Sequence, residues 1–372
     1  MSFARTDYLP AGKPPVTRTG VSGWLRANLF SSAGNTLLTL AALYVIWLTL
    51  PPLLDWALFD AVWRGEGREA CLVEDAGACW AFVVAKFGQF IYGRYTIAER
   101  WRVDIVFITG AILLALLLWE RMPWRRYLAA FALFIFPVMA YVLLNGGMFG
   151  LEVVETSLWG GLLVTLVVAV TGMVVALPLG ILLALGRRSE LPVLRLFSVI
   201  YIELWRGVPL ITVLFMASVM LPLFLPPGVN FDKLLRVLIG VALFSAAYMA
   251  EVVRGGLQAI PRGQYEAAAA LGLGYWRAHV LIILPQALRL VIPGMVNTFI
   301  GLFKDTTLVM IVGLFDLLGS VQVNFSDANW ATPQTAATGY AFAALIFWTA
   351  CFAMSRYSIR VERRLNEGVR RA

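Results

Sequence analysis

Residues 264–285 read QYEAAAALGLGYWRAHVLIILP and lie between two strongly apolar segments. The first part is rich in alanine, which has the highest helix propensity. The helical pattern breaks at the GLG triplet, residues 272–274, resumes at Tyr275, and stops at Pro285. The stretch therefore predicts two short helices around a glycine turn. What such a piece does depends on the side of a membrane on which it lies.

The composition predicts an all-α polytopic membrane protein. Of 372 residues, 60% are hydrophobic and 14% are charged, whereas a soluble domain is nearer a quarter charged. Several segments approach the roughly 18–20 apolar residues that span a bilayer. The net charge is +8, but the arginines cluster beside apolar segments, as the positive-inside rule describes. We therefore expect membrane lipid, and no nucleic acid, as a partner.

The apolar segments predict eight spans. They cover residues 37–58, 103–119, 127–144, 158–185, 194–221, 234–253, 287–303 and 340–357. The segment WAFVVAKFGQFIYG, residues 80–93, is too short to span and contains Lys86, so we expect it to lie at the membrane interface. The polar N-terminus is not a signal peptide, and we expect a disordered tail there.

Eight spans place both termini on one side, which the arginine clusters identify as the cytoplasm. Clusters follow the second, fourth, sixth and eighth spans, and others precede the first. The loop of residues 59–102 is the exception, because its six basic residues would lie outside. Acidic residues balance them in number, but the rule gives acids little weight, so this loop is the least certain part of the topology.

The opening stretch has a long and specific pattern. Glu266-Ala267-Ala268, then Gly272 after three residues, then Ile282-x-Leu284-Pro285 after nine, resembles the EAA loop of ABC importer permeases. AYMAEVVRGGLQAIPRGQYEAA, YIELWRGVPL and KDTTL look like landmarks of the polar amino acid branch. The resemblance covers residues 156–364. The long N-terminal extension is similar to that of one permease of the general L-amino acid uptake systems.

The resemblance implies an organisation of the chain. Residues 1–36 would be a cytoplasmic tail, and residues 37–150 a three-span extension with a periplasmic loop at 59–102. Residues 151–364 would be the five-span core of a type I importer permease, with the cytoplasmic EAA loop at 255–285. Residues 365–372 would be a second cytoplasmic tail.

The resemblance also implies a function and partners. The chain would be the permease subunit of an ATP-driven importer of L-amino acids, polar or general, in the bacterial inner membrane. It would pair with a homologous second permease rather than with itself, with two ATPase subunits, and with a periplasmic amino acid-binding protein. ATP-Mg would belong to the ATPase. This chain would bind no cofactor and be no enzyme, since the only glycine–lysine pair, Gly12-Lys13, is followed by Pro14 and is no phosphate loop.

For the EAA loop, the resemblance implies coupling to the ATPase. The residues concerned are Glu266, Ala267, Ala268, Gly272 and Gly274. Small residues at 267–270 would let the partner approach closely, and both glycines would allow the sharp turn. Glu266 would offer an acceptor. The alternative is an ordinary helix with a glycine cap at its C-terminus.

Charged residues within spans are costly and suggest a function. Glu203 and Arg206 are three residues apart, as are Glu251 and Arg254, so each couple can pair on one helix face. We read them mainly as structural pairs and less as ligands. The single histidine, His279, has no metal-ligand neighbours, and we expect no metal site.

Polar residues of the seventh span are the candidates for the substrate pathway. They are Asn297 and Thr298 within the span, and Lys304, Asp305, Thr306 and Thr307 at its outer end. An amino acid has an ammonium and a carboxylate, which need partners of both signs. The alternative is that Lys304 and Asp305 mark the exit from the membrane.

Cys71 and Cys79 lie in the polar loop CLVEDAGAC, on the predicted outer side, where disulfides persist. A bridge and two free thiols both remain open. Cys351 lies in an apolar segment and is expected to be a packing residue.

Two other classes of protein remain as alternatives. An ion-coupled secondary transporter would have inverted repeats and a buried carboxylate near the midplane. No such repeat is visible, and the EAA loop would be unexplained. A structural membrane subunit would not line the transport path.

Overall fold

The computed structural model describes residues 20–119, 121–226 and 231–370, with side chains to residue 365. The described residues contain helices and turns but no strands, as expected for an all-α membrane protein. The helices are α1 Gly20–Asn28, α2 Ala33–Leu54, α3 Trp80–Tyr92, α4 Arg100–Leu118, α5 Arg125–Ala130, α6 Phe136–Asn145, α7 Gly161–Arg187, α8 Pro192–Gly207, α9 Leu210–Phe215, α10 Lys233–Ala259, α11 Arg262–Ala270, α12 Tyr275–Ala278, α13 Leu284–Leu290, α14 Ile292–Asp305, α15 Leu317–Val323 and α16 Pro333–Arg370.

Seven helical stretches in the described residues are long and apolar enough to cross a membrane. They are Ala33–Phe59, Ile97–Leu118, Arg125–Asn145, Gly161–Arg187, Lys233–Ala259, Ile292–Val312 and Pro333–Leu365. An eighth results if the bent pair Pro192–Gly207 and Leu210–Phe224 counts as one span. The spans predicted from the sequence coincide with these stretches, apart from shifts at the ends.

The fifth predicted span is broken into two helical parts. Its two helical parts meet at an angle of 102° at Val208 and Pro209. Val208 is extended, with φ −114° and ψ 136°, because the ring of a following proline disfavours the helical conformation. Pro209 also has no N–H to continue the helix. The apolar residues on both sides of Glu203 and Arg206 led to the expectation of one span.

Both predicted tails contain helical residues. Helix α1, residues 20–28, lies within the predicted N-terminal tail 1–36, and residues 1–19, almost all of the stretch expected to be disordered, lie outside the described residues. At the other end, α16 continues to Arg370, so most of the predicted tail 365–372 prolongs the last helix. Residues 371 and 372 are not among those described.

Helices α7 and α10 form the centre of the bundle. Their buried valines, among them Val164, Val168, Val237 and Val241, belong to the largest apolar cluster. The two helices approach closely at Gly180, where a Cβ would lie 2.7 Å from Cγ of Met249. Small residues permit such close helix contacts within membranes. By contrast, the hydrophobic window of span Ala33–Phe59 has no buried residue in this chain.

The bundle has two distinct ends. One carries the EAA loop, and we call it the EAA end; there Arg187 of α7 meets Glu251 of α10. The opposite end, which we call the disulfide end, carries a disulfide between Cys71 and Cys79. Thr156, ahead of α7, bonds to Asp232, ahead of α10, at this end. The two helices therefore run in the same direction.

At the disulfide end, α3 packs against the core instead of lying only at an interface. Its Phe82 is fully buried and lies 6.3 Å from the ring of Trp330. Lys86 forms a salt bridge with Asp327, and the N–H of Cys79 donates to the Thr338 hydroxyl at 2.8 Å. The expectation of an interfacial segment rested on its length and on Lys86, and it missed these contacts with α16 and with the loop before it.

Candidate functional site

The EAA loop has the predicted helix–turn–helix form. Helix α11 ends in a left-handed residue, Gly272, with φ +70°. The N–H of Gly272 donates to Ala269 O at 2.9 Å, and that of Leu273 donates to Ala268 O at 3.1 Å. These two bonds are those of a Schellman cap. The glycine cap and the turn between helices are thus one feature, and Gly272 is its conformationally demanding residue.

Gly274 does not need to be glycine for the turn, which corrects one expectation. Its φ is −64° and its ψ is 162°, a conformation that any residue adopts. Neither glycine is held by close packing, because a Cβ at Gly272 or Gly274 would meet no atom within 4 Å. The requirement at Gly272 is therefore one of backbone conformation alone.

The three residues of the EAA triplet have different surroundings. Glu266 and Ala267 are exposed, and Glu266 has no polar contact within the described part of the chain. Ala268 is 1% exposed and faces the protein. Ala268 therefore cannot touch a partner directly, contrary to the expectation for residues 267–270, because it lies on the inner side of α11.

The segment that contains and follows the second half of the motif fastens the loop to the bundle. Ile283 and Ala287 are fully buried in an apolar cluster that contains Val253 and Leu257 of α10. Across the loop, the amide of Gln286 donates to the side chain of Gln264 at 3.1 Å. The EAA loop is therefore seated on the helix ends and is not a free surface loop.

The charged residues of the spans form one cluster near the EAA end. Glu251 accepts two hydrogen bonds from Arg254, at 2.7 and 3.0 Å, as the sequence predicts. Arg187 bridges the cluster, with Nη1 lying 2.8 Å from Glu251 and 2.9 Å from Glu203. Arg206 lies 3.7 Å from Glu251. Three helices, α7, α8 and α10, are joined in this way.

The predicted pair of Glu203 with Arg206 is not formed, and Glu203 pairs with Arg187 instead. Arg206 turns toward α10, where its guanidinium lies over the ring of Tyr248 at 5.8 Å. Spacing within α8 allowed the pair, but partners on two different helices compete for the two side chains.

The predicted pathway residues of α14 have mixed surroundings. Asn297 and Lys304 are exposed, and the hydroxyls of Thr298 and Thr307 donate to carbonyls of the preceding turn, at 3.0 and 2.9 Å. Asp305 is partly buried. Thr306 is 1% exposed and donates to Phe303 O at 2.8 Å. Thr306 therefore faces the protein interior, and its place among the pathway candidates was wrong.

Residues 176–367, more than half of the chain, match the family described as binding-protein-dependent transport system inner membrane component. The matched region includes the EAA loop, the charged cluster and α14. The chain belongs to this family.

Relatives of this transport component extend over almost its whole length. It is 56% identical to the inner membrane amino-acid ABC transporter permease protein YhdY of Escherichia coli (strain K12), over 93% of each chain. It is 42% identical to the glutamate/glutamine/aspartate/asparagine transport system permease protein BztC of Rhodobacter capsulatus, over 98% of each chain. A crystal structure of an amino acid ABC transporter with histidines aligns with a TM-score of 0.48 and 29% identity, over 55% of this chain and 92% of that one.

One buried carboxylate of the transport component escaped the sequence analysis. Asp316 is fully buried at the start of α15. Its carboxylate accepts the N–H groups of Gly319 at 2.9 Å and of Leu318 at 3.2 Å. Burial nevertheless raises the pKa of Asp316 to about 6, because two hydrogen bonds do not replace full hydration. An aspartate just before an apolar helix was the available signal, since aspartate is a common N-cap.

Among the described residues, no group of three or more His, Cys, Asp or Glu could hold a metal ion. His279 lies in the EAA loop, where its Nδ1 lies 2.9 Å from Tyr275 O. Cys351 is a free thiol in α16 and is partly buried.

Proposed function

We propose that the chain is the permease subunit of an ATP-driven importer that moves L-amino acids, of the polar or general classes, across the bacterial inner membrane. The observation that carries this proposal is the EAA motif, folded as two short helices around a Schellman cap at the end of the bundle. Two relatives that match this chain over nearly their whole length are named as permeases for amino acids. These names support the substrate class.

The EAA loop would be the docking surface for a separate ATPase subunit, which holds ATP-Mg. In support, three apolar side chains of the loop are strongly exposed in this chain, whereas apolar side chains at an uncovered end of the bundle would be in contact with water. They are Leu271, Trp276 and Leu281, at 76, 63 and 66%. Exposed apolar surface of this kind is typical of a protein interface. Trp276 is the best anchor, since tryptophan is enriched among residues that dominate binding energy.

A pair of tryptophan variants tests the docking surface. Trp276→Ala should weaken ATPase binding by about 2 kcal/mol or more. Trp348 is equally exposed, at 61%, but lies on a membrane span, so Trp348→Ala is the matched control. Affinity purification of each tagged variant at decreasing ATPase concentrations measures how much ATPase each variant retains. Equal retention of the ATPase by the two variants would contradict the proposed surface.

In this proposal the EAA end and both termini are cytoplasmic, and the disulfide end is periplasmic. The arginine clusters support this orientation, as does the disulfide itself, since disulfides persist in the periplasm. Reporter fusions after Trp80 and Asn329 should be active outside, and fusions after Arg126 and Arg188 inside. A cytoplasmic result at Trp80 would contradict the three-span extension.

A homologous second permease would complete the pathway, two ATPase subunits would drive it, and a periplasmic amino acid-binding protein would deliver the solute. Support comes from α14, whose exposed Asn297 and Lys304 have no contacts that cover them in this chain. Lys304 would offer a cationic partner for the carboxylate of an amino acid in such a pathway, and Asn297 a polar amide.

Transport in membrane vesicles from cells that hold the whole system tests the function. Uptake should require ATP and loaded binding protein, and it should survive ionophores that collapse ion gradients. Uptake that ionophores abolish while ATP remains would instead indicate an ion-coupled transporter. Binding-protein-dependent uptake of a solute other than an amino acid would contradict the substrate class alone.

A further inference from the structure

Tyr265 occupies a central position between the EAA loop and the helix ends. It is the residue before Glu266 on α11, and its ring packs against the apolar cluster of Ile283 and Val253. Its hydroxyl accepts a hydrogen bond from Arg188 Nη1 at 3.1 Å and donates one to Leu257 O at 3.2 Å. One oxygen atom thus connects α11 with the end of α7 and with α10.

His279 connects the same tyrosine to the second half of the loop. Its ring lies edge-on to Tyr265, with centroids 6.0 Å apart, and close to the ring of Tyr275, with centroids 4.0 Å apart. The imidazole Nδ1 also lies 2.9 Å from Tyr275 O. The two short helices on either side of Gly272 are therefore held together by side chains as well as by the backbone.

Arg188 contacts Tyr265 in two ways. Besides the hydrogen bond, its guanidinium lies 5.6 Å from the centroid of the Tyr265 ring. The preceding residue, Arg187, bridges Glu203 of α8 and Glu251 of α10. Two adjacent arginines at the end of α7 therefore face two different structures, the EAA loop and the charged cluster.

We propose that Tyr265 is a positioning residue for coupling: through Arg188 and Leu257 it locks the EAA loop to α7 and α10, so that the loop and these helices move as one body. This inference rests on the proposed function, because it concerns how movement at the ATPase reaches the spans. Arg187 extends the connection to α8 through Glu203. No contact between Tyr265 and the ATPase is required.

The chemistry of the contact separates this role from simple packing. The ring of Tyr265 supplies apolar packing and the contact with the Arg188 guanidinium, whereas only its hydroxyl forms hydrogen bonds to Arg188 and to Leu257 of α10. Tyr265→Phe keeps the ring and removes both hydrogen bonds. Tyr357→Phe is the matched control, because Tyr357 is partly buried on α16, outside the EAA loop, and its hydroxyl makes no hydrogen bond within the described residues.

The experiment uses the complete complex in lipid vesicles, with ATP inside and loaded binding protein outside. The measured quantities are the ATPase stoichiometry, the solute-stimulated hydrolysis and the number of solute molecules taken up per ATP. Tyr265→Phe should keep the stoichiometry but lower uptake per ATP about tenfold, the effect of losing hydrogen bonds of ordinary net strength. Tyr357→Phe should match the wild type.

Uptake per ATP separates positioning from stability, because a purely structural defect reduces the amount of complex but not this ratio. A wild-type ratio in Tyr265→Phe would overturn the inference. If the wild-type chain itself bound no ATPase, the proposed function would fail instead.

A double variant gives a second, independent outcome. Arg188→Gln alone should also lower uptake per ATP, but it should lower the ratio by less in the Tyr265→Phe background than in the wild type, since Tyr265→Phe has already removed the hydrogen bond that Arg188 donates. Independent effects that multiply would show that Arg188 and Tyr265 do not act through each other.

Discussion

Arg187 of α7 and Glu251 of α10 lie 2.8 Å apart at the EAA end of the bundle. Glu251 is the centre of the charged cluster, because it also contacts Arg206 and Arg254. Its side chain is 16% exposed, whereas that of Glu203, the other carboxylate of the cluster, is 55% exposed. The two carboxylates therefore differ in how much each stabilises the structure.

Glu251→Gln should destabilise the complex strongly. The change leaves three guanidinium groups without their common partner, and loss of one member of a partly buried cluster costs about 2 kcal/mol or more. Glu203→Gln removes a single contact at an exposed site and should cost under about 1 kcal/mol. Thermal unfolding of the purified complex compares the two. Equal midpoints for both variants would refute the central role of Glu251.

The cysteines should differ in reactivity. Cys71 and Cys79 are disulfide-bonded and fully buried, while Cys351 is free. Alkylation of the denatured chain without reduction should therefore modify Cys351 alone, and alkylation after reduction should modify all three. Peptide mapping that finds Cys71 and Cys79 alkylated without reduction would exclude the bridge.

Loss of the disulfide should loosen the disulfide end rather than the whole bundle. A bridge across a short loop contributes about 2–3 kcal/mol in the chain-entropy model. We therefore expect the double change Cys71→Ser and Cys79→Ser to speed proteolysis within residues 60–80. Cleavage at the EAA loop should be unchanged and serves as the internal control.

Features that depend on neighbouring residues in the chain could be predicted from the sequence. Apolar runs predicted the spans, because a bilayer demands long continuous hydrophobic segments. The GLG triplet predicted the turn, and the spacing of Glu251 and Arg254 predicted their pair. Each of these features depends on residues that are close together in the chain.

Features that depend on packing between distant segments were not predictable in this way. Glu203 forms its salt bridge with Arg187 instead of Arg206 because α7 lies beside α8. Ala268 is buried only because α11 lies against the bundle, and the burial of Asp316 likewise depends on contacts from elsewhere in the chain. The break at Pro209 is different: its signal was local, but the apolar run outweighed it.

Asp316 should make stability depend on pH. Its pKa is about 6 in the folded chain and about 3.9 in an unfolded one. Between about pH 4 and 6 the folded chain keeps a proton that the unfolded chain has lost. The free energy of unfolding should therefore fall as the pH rises through this interval and be level above it.

Asp316→Asn should remove this dependence and raise stability at pH 7 by about 1–2 kcal/mol, since an amide carries no charge to desolvate but accepts one hydrogen bond fewer. Asp327→Asn is the control of opposite sign. The hydrogen bond from Lys86 lowers the pKa of Asp327, so its contribution is present above the unfolded pKa and is lost as the pH falls. Unfolding followed from about pH 2 to 8 distinguishes the two, because the Asp327 contribution is lost only below about pH 4.

Asn297 provides the test of the substrate pathway. It lies seven residues before Lys304, so both are on one face of α14, and both are exposed in this chain. Asn297→Leu should abolish uptake while leaving ATPase stoichiometry unchanged. Thr298→Val is the control, because the Thr298 hydroxyl bonds to its own helix at Gly294 O. Wild-type uptake kinetics in Asn297→Leu would indicate that the pathway is lined by other helices or by the partner permease.

Gly272→Val should uncouple transport from hydrolysis. At φ +70° a β-branched residue is strained by roughly 1–3 kcal/mol, and relief of that strain displaces the Schellman cap. The second short helix would then meet the ATPase at a different angle. The variant should still insert into the membrane, because the change lies outside the spans. We expect normal ATPase stoichiometry with lost solute-stimulated hydrolysis, or reduced stoichiometry.

Gly274→Ala separates conformation from the mere presence of glycine. Its φ of −64° suits alanine, and an added Cβ would meet no atom within 4 Å, so this variant should behave as wild type. Glu266→Gln should have a small effect, because exposed polar contacts contribute under about 1 kcal/mol. Solute-stimulated hydrolysis, measured on the three purified variant complexes, should be near the wild-type level for Gly274→Ala and Glu266→Gln and lowest for Gly272→Val. Normal stimulation in Gly272→Val would mean that the angle between the two short helices is not what couples this loop to the ATPase.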